Sequence, residues 1–135
     1  LWKSVELLYL LSAQEEETPD APPSPALDRK TALVLDETRR YMEEHLDEHL
    51  TNPTLSRRAL LSATTFKKGF HRMYGLPVHT WLRQRRMERA AKLLQDSSLS
   101  VLGVAQAVGY GSVSQFSAAF RRQYGLTPAQ YRKNA

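Results

Sequence analysis

The sequence predicts an all-α fold in which two similar helical lobes are joined by a long central helix. Three observations predict it: apolar residues recur at helical spacing from residue 28 onward, no segment alternates as a strand does, and one motif occurs twice. With 135 residues, 41% of them hydrophobic, the chain can bury a modest core but is too short for a barrel or doubly wound enzyme. The lack of cysteine excludes disulfides and thiolate metal sites.

The first 27 residues are predicted to lie outside the helical domain. Residues 1–13 are mostly apolar and are predicted to form a short helix, the stub of an absent N-terminal region. Residues 14–27 contain four prolines and an acidic run, which predicts an extended linker. Residues 28–135 are the predicted domain, divided into lobe one (28–77), the linking helix (78–95) and lobe two (96–135).

Helix boundaries within residues 28–135 follow from capping residues. Asp28, Ser62 and Thr127 are suited to N-caps, and Gly75 and Gly125 to helix C-termini. The predicted buried face of the first helix consists of Val34, Thr38, Tyr41, Met42 and Leu46. The predicted helices cover residues 28–49, 55–61, 62–74, 77–95, 101–108, 112–124 and a last turn from 127.

An internal repeat relates residues 62–81 to residues 112–131, with every matched pair 50 positions apart. Aromatic residues recur every fourth position in each copy, so they are predicted to form the buried face of a helix. Any function therefore falls on the opposite face. The matched pairs are Ser62 with Ser112, Phe66 with Phe116, Phe70 with Phe120, Tyr74 with Tyr124, Gly75 with Gly125, Leu76 with Leu126, and Trp81 with Tyr131.

The second copy is preceded by a short helix and a glycine turn. Ala105 is small, as the close approach of two helices requires, and Gly109 suits a left-handed turn residue. A helix, a tight turn and a second helix make up the helix-turn-helix motif, whose second helix enters the DNA major groove.

Charge is distributed unevenly along the chain. Residues 1–53 contain 5 Lys and Arg and 12 Asp and Glu, a net charge of −7, whereas residues 54–135 contain 14 and 2, a net charge of +12. So basic a segment indicates a polyanionic partner, usually nucleic acid, and the alternative is a solvated basic surface.

Residues 93–132 resemble the DNA-binding domain of the AraC/XylS family of bacterial transcription regulators, and the resemblance extends more loosely back to Leu33. It is carried by Leu93-Leu94, the run Leu99–Ser112, Phe116, Phe120-Arg121-Arg122, Tyr124–Pro128 and Tyr131-Arg132. The resemblance implies two helix-turn-helix lobes, with recognition helices in successive major grooves of double-stranded DNA. It implies a cytoplasmic transcription regulator, an activator, whose absent N-terminal domain dimerises or binds an effector, and RNA polymerase as a further partner.

The resemblance also implies which residues contact DNA. It places Thr64, Lys67, Lys68, Val113, Ser114, Gln115 and Ala118 against bases. Contacts to phosphates are expected from Arg72, Arg83, Ser112, Arg121 and Arg122. This sequence departs from the family at Ala118, where the family often has arginine.

The first lobe departs from the family pattern. From Leu55 to Ser62 the chain is three residues, nearly one helical turn, shorter than the family pattern. With a repeat offset of 50, Arg58 falls opposite the predicted buried Val108. Either the first helix-turn-helix is distorted or residues are missing from this segment, and we expect the second.

Other functions have weaker sequence support. His45 to His49 follows the H-x-x-E-H order of some zinc peptidases, but it lies at a predicted helix end with no further acidic ligand assigned. No glycine-rich phosphate loop is present, and nothing in the sequence positions a catalytic triad. We therefore expect no enzyme, no cofactor and no metal. Arginines at 83, 85, 86 and 89 are expected either to reach phosphates or to hold the lobes to the linking helix.

The alternative function is a helical protein-interaction module that contacts the transcription machinery without reading DNA, and no membrane association is expected.

Overall fold

The computed structural model describes residues 28–134, and within them the fold is all-α, as predicted. The predicted helix over residues 1–13 and the linker over 14–27 lie outside the described residues. No helix over residues 28–134 is long and apolar enough to cross a membrane. The helices are α1 (Arg29–Glu44), α2 (Asn52–Arg58), α3 (Ala63–Tyr74), α4 (Val78–Asp96), α5 (Val101–Ala107), α6 (Val113–Tyr124) and α7 (Pro128–Asn134).

The described chain divides into two compact units. The first unit contains residues 28–42 and 50–79, including α2 and α3, and the second contains residues 43–49 and 80–134, including α5, α6 and α7. In the second unit one apolar cluster joins α4 to α5 and α6, with Met87, Ala90, Leu94, Val104, Val108, Phe116 and Phe120 at its centre. In the first unit the fully buried side chains are Leu35, Met42, Leu55, Phe66, Phe70 and Met73.

The repeat is confirmed in detail by α3 and α6. Both helices have 12 residues, both begin at a serine N-cap, and both end at a glycine with φ of 78°. The ring centroids of Phe66 and Phe70 are 6.0 Å apart, and those of Phe116 and Phe120 are 5.9 Å apart. All four phenylalanines are fully buried, so the aromatic face is core in both copies.

The turns before α3 and α6 correct the prediction that residues are missing between Leu55 and Ser62. The chain closes a complete turn there, because Leu61 N donates to Ser56 O at 3.0 Å. The equivalent bond in the second unit, from Tyr110 N to Ala105 O, is 2.8 Å. The repeat offset before α3 is therefore 49 rather than 50, and this turn is one residue shorter than the turn that contains Gly111.

The offset of 49 also changes which residues before α3 are matched to which residues before α6. Buried Leu55 matches buried Val104, and Leu60, with φ of 57°, matches Gly109, with φ of 87°. Arg58 does not match buried Val108. Its side chain is exposed, and the guanidinium lies 3.7 Å from the centroid of the Tyr41 ring. The first helix-turn-helix is thus complete, and no distortion is needed to accommodate these residues.

A buried ionic group lies on the face of α1 that packs inward. Asp36 and Arg39 are 6% and 4% exposed, and Arg39 Nη2 donates to Asp36 Oδ1 at 3.0 Å. Arg40 donates to the other carboxylate oxygen at 2.8 Å, and the Tyr74 hydroxyl, on α3, donates to Oδ1 at 3.3 Å. The predicted face of α1 was wrong in part: Val34 and Tyr41 are only half-buried, while Leu35, Asp36 and Arg39 are buried.

The predicted start of α1 is confirmed, whereas its predicted end is corrected. Asp28 caps the N-terminus, because its carboxylate accepts from Thr31 N at 2.6 Å, and hydrogen bonding by Thr31 lowers the pKa of Asp28. The helix ends at Glu44 rather than near His49. In the turn that follows, the guanidinium of Arg86 donates to the carbonyl oxygens of Leu46 at 3.0 Å and Glu48 at 2.8 Å.

We predict that Leu60→Gly raises the free energy of unfolding by about 1 kcal/mol, because glycine relieves the left-handed backbone strain of leucine. The Leu60 side chain is 91% exposed, so its loss removes little buried apolar area. Urea denaturation measures the change.

The control is Gly109→Ala at the matched turn. A Cβ there would lie 2.6 Å from the Leu46 carbonyl oxygen. Because φ is also positive, we expect a loss of about 2–4 kcal/mol. A Leu60→Gly variant less stable than the parent would contradict the proposed strain.

Candidate nucleic-acid interface

The face of α3 that points away from the core is polar and basic. Phe66, Gly69, Phe70 and Met73 are buried, which leaves the opposite side of the helix in solvent. The predicted base-facing residues of this helix are all exposed on that side: Thr64, Lys67 and Lys68. Arg72, predicted to contact phosphate, is exposed one turn further on.

The corresponding face of α6 has the same exposure but a different chemistry. Phe116, Ala119 and Phe120 are buried, and the four predicted base-facing residues are exposed, Val113 at 38%. These residues carry no formal charge, and only Arg121 and Arg122 near the helix C-terminus are cationic. The predicted base-facing residues of α6 are Val113, Ser114, Gln115 and Ala118.

Serine caps fix the start of each of these helices. The Ser62 hydroxyl oxygen accepts from Thr65 N at 3.1 Å, and the Ser112 hydroxyl oxygen accepts from Gln115 N at 3.3 Å. Each cap satisfies a backbone N–H that has no partner within the helix. Because the Ser112 hydroxyl uses only its oxygen in this bond, its proton is available to an external acceptor.

The remaining predicted phosphate contact, Arg83, lies on α4 and is half-buried. The neighbouring arginines of α4 make internal contacts: Arg85 Nη1 lies 2.9 Å from Glu88 Oε1, and Arg86 donates to two carbonyl oxygens of the preceding turn. Burial lowers the pKa of Arg86. Of the two roles considered for these arginines, the structure assigns the structural role to Arg86.

A concave surface, which the sequence did not predict, borders the basic face of α3. This surface, which we call the α3 groove, has a volume of about 520 Å³. The sequence signals for it are the two histidines that follow the predicted lysine positions and the proline between α3 and α4. The lining residues are Asn52, Lys67, Lys68, His71, Arg72, Pro77, Val78 and His79.

The H-x-x-E-H segment forms a turn after α1. His45 Nε2 lies 3.7 Å from Glu48 Oε2, three residues further along the chain. Over residues 28–134, no group of three or more potential ligands is placed to hold a metal ion.

Comparisons with known proteins are consistent with this geometry. A family described as a helix-turn-helix domain matches residues 55–134. The transcriptional regulator ExsA of Pseudomonas aeruginosa is 33% identical over 93 residues, which cover 69% of this chain and 34% of ExsA. The transcriptional regulator MtrA of Neisseria gonorrhoeae is 31% identical over 136 aligned residues, which cover 96% of this chain and 43% of MtrA.

Among solved structures, the DNA-binding domain of the global transcriptional factor AdpA, in complex with a target DNA, matches with a TM-score of 0.73 and 37% identity. The match covers 75% of this chain and 91% of that domain. The chain spans about a third of the length of the curated relatives it matches first, 34% of one and 35% of another. From the matched helix-turn-helix domain and these relatives, the chain belongs to the AraC/XylS family of transcription regulators and contains its DNA-binding domain.

Proposed function

We propose that this chain binds double-stranded DNA sequence-specifically and regulates transcription, as an activator in the cytoplasm. The observation that carries the proposal is the duplicated helix-turn-helix, in which both second helices bury their aromatic face and leave a polar face in solvent. In this motif the second helix enters the major groove. We therefore propose α3 and α6 as the two recognition helices, which read successive major grooves as the family resemblance implies.

The two recognition helices are proposed to read bases by different chemistry. Lys67 and Lys68 can donate to guanine O6 and N7, whereas the Gln115 amide can pair with adenine N6 and N7. Val113 can contact a thymine methyl group. Thr64 and Ser114 occupy matched positions and offer hydroxyl groups to either kind of base. Ala118 offers only a methyl group, so α6 is proposed to favour A·T pairs.

Phosphate contacts are proposed from residues that flank these base-reading faces. Arg72 and Arg122 occupy matched positions in the last turn of α3 and α6, and both are exposed. Arg121 lies beside Arg122, the Ser112 hydroxyl is placed at the start of α6, and Arg83 is half-buried on α4. Contacts of this kind fix the position of a protein on the duplex and carry no sequence information.

The second candidate function is a protein-interaction module that contacts the transcription machinery, for example RNA polymerase, without reading DNA. The observation that favours it is an apolar surface at the start of α5, where Leu99 and Leu102 are 42% and 46% exposed. Dimerisation or effector binding is proposed for an N-terminal domain outside this chain.

Selection of bound duplexes from a random pool tests the proposed function. We expect enrichment of a motif with two half-sites about one helical turn, roughly 10 base pairs, apart. If no sequence is enriched, and the chain instead binds RNA polymerase in the absence of promoter DNA, the interaction module is the correct function.

We predict a steep salt dependence of DNA affinity. The net charge of +12 over residues 54–135 supports phosphate contacts from both recognition helices and α4. If about 6 to 8 phosphates are neutralised, the logarithm of the association constant falls with the logarithm of salt concentration with a slope of about −5 to −7. Fluorescence anisotropy over a salt series measures the slope. A slope shallower than about −2 would rule out the proposed phosphate contacts.

We predict that alanine substitutions separate the chemistries of α3 and α6. Lys67→Ala or Lys68→Ala should weaken binding by about 1–3 kcal/mol if the contact is to a base, and reduce the salt slope by about one if it is to a phosphate. Gln115→Ala should relax preference at one base pair without changing the salt slope, because no charge is removed. Equal weakening of all sequences by Gln115→Ala would assign that residue a structural role.

We predict that Ser112→Asp keeps the fold but weakens DNA binding. Aspartate caps helices as well as serine does, so stability should change by less than about 0.5 kcal/mol, while its charge repels a nearby phosphate. The matched control is Ser100→Asp, since Ser100 caps α5 by accepting from Gly103 N at 3.0 Å. Affinity for a selected duplex should fall at least severalfold more for Ser112→Asp. An equal loss in both variants would indicate only a general effect of net charge.

A further inference from the structure

The α3 groove is a concave part of the proposed DNA surface. One wall is the exposed face of α3, with Lys67, Lys68 and Arg72, and the other is the chain from Pro77 to His79 at the start of α4. Its volume of about 520 Å³ lies in the range of small-molecule sites, roughly 300–1,000 Å³. All of its lining residues belong to the first unit.

The groove is chemically selective for anions. Two lysines and one arginine line it, two histidines add further donors, and no carboxylate of residues 28–134 is among the lining residues. The internal repeat keeps a cation at the position of Arg72, which Arg122 matches, but shows that the fold does not require the two lysines or His79. At the positions matched to Lys67 and Lys68 the second unit has Ser117 and Ala118, and at the position matched to His79 it has Ala129.

The groove also has an apolar part. Pro77 and Val78 line it beside the cationic side chains; the Pro77 ring is exposed there, and Val78, 4% exposed, lies beneath the surface. A backbone phosphate of DNA would meet the cations but bring no apolar group to these two residues. A ligand with an anionic group and a ring would contact both parts and would bury apolar surface in addition to its charge.

We propose that the α3 groove binds a small aromatic phosphate or carboxylate, with the anionic group held by Lys67, Lys68 and Arg72 and the ring against Pro77 and Val78. Because Lys67 and Lys68 are also proposed DNA contacts, the bound anion competes directly with DNA. The competition rests on the proposed function, whereas binding of the anion does not. The domain would thus carry an inhibitory ligand site of its own, in α3.

The first test titrates 1-naphthyl phosphate into the isotopically labelled full chain and follows backbone amide shifts. We expect the largest shifts at residues 67–72 and 78–79, fitted by one dissociation constant. Inorganic phosphate and 1-naphthol, which each supply half of the ligand, should bind more weakly than the intact probe. Equal shifts from inorganic phosphate would overturn the proposal in favour of a simple backbone-phosphate contact. Shifts spread over the basic residues of both units would overturn it in favour of nonspecific attraction.

Variants that place residues of the second repeat copy at matched positions of the first locate the site. The double variant Lys67→Ser with Lys68→Ala installs the residues of the second unit at exposed positions, and we expect about a tenfold higher dissociation constant for 1-naphthyl phosphate. The matched control, Arg121→Ala with Arg122→Ala, removes the same charge from α6 and should leave this constant unchanged. Equal weakening by both double variants would overturn the assignment to α3.

Measurements with DNA distinguish the proposed ligand site from the proposed function. In anisotropy measurements with a selected duplex, 1-naphthyl phosphate should displace the chain at concentrations near its own dissociation constant, and 1-naphthol should not. If the chain binds DNA but shows no localised amide shifts, the groove proposal fails alone. If the localised shifts appear but no duplex is bound, the proposed function fails and the ligand site stands.

Discussion

The burial of two phenylalanines one helical turn apart fixes which side of α3 and of α6, the proposed recognition helices, faces solvent. Phe66 and Phe70 in α3, like Phe116 and Phe120 in α6, are completely buried, and removing such a ring costs about 3–5 kcal/mol. Rotation of either helix about its axis would expose this face, so the polar face is held in one orientation. The glycine at the end of each helix then turns the chain away in a left-handed conformation, with φ of 78° in both copies.

The turn before each recognition helix is the second constraint, and the two copies meet it differently. Both turns place one residue at positive φ, which favours glycine. In the second unit this is Gly109, where a Cβ would collide with the Leu46 carbonyl oxygen. In the first unit the position holds Leu60, whose side chain extends into solvent and meets no such obstacle. Glycine is therefore required for steric reasons only in the second unit, where another segment of the chain packs against the turn.

Local sequence signals predicted the caps, the glycine termini and the aromatic core, because each depends on residues within one or two turns of one another. The register of the first helix-turn-helix was predicted wrongly, since the repeat offset of 50 was extended through a turn that is one residue shorter. The buried Asp36–Arg39 pair was also missed, because charged residues are rarely buried and only the tertiary fold supplies the Tyr74 hydroxyl to the carboxylate. The turn that follows α1 accepts a hydrogen bond from Arg86, 40 residues after Leu46 in the chain, and the α3 groove depends on chain segments that no helical period relates.

The repeat separates what the scaffold requires from what the surface is free to vary. The buried aromatic positions, the serine caps and the C-terminal glycines of α3 and α6 are the same in both copies, while exposed positions differ: Lys67 and Lys68 in α3 are matched by Ser117 and Ala118 in α6. Cationic side chains attract any duplex through its phosphates, so they add affinity more than discrimination. Short neutral side chains gain little from the wrong sequence, so they add discrimination at small cost in affinity. In the proposed function, dividing these tasks between two copies of one fold gives a single domain more of its DNA affinity from α3 and more of its sequence discrimination from α6.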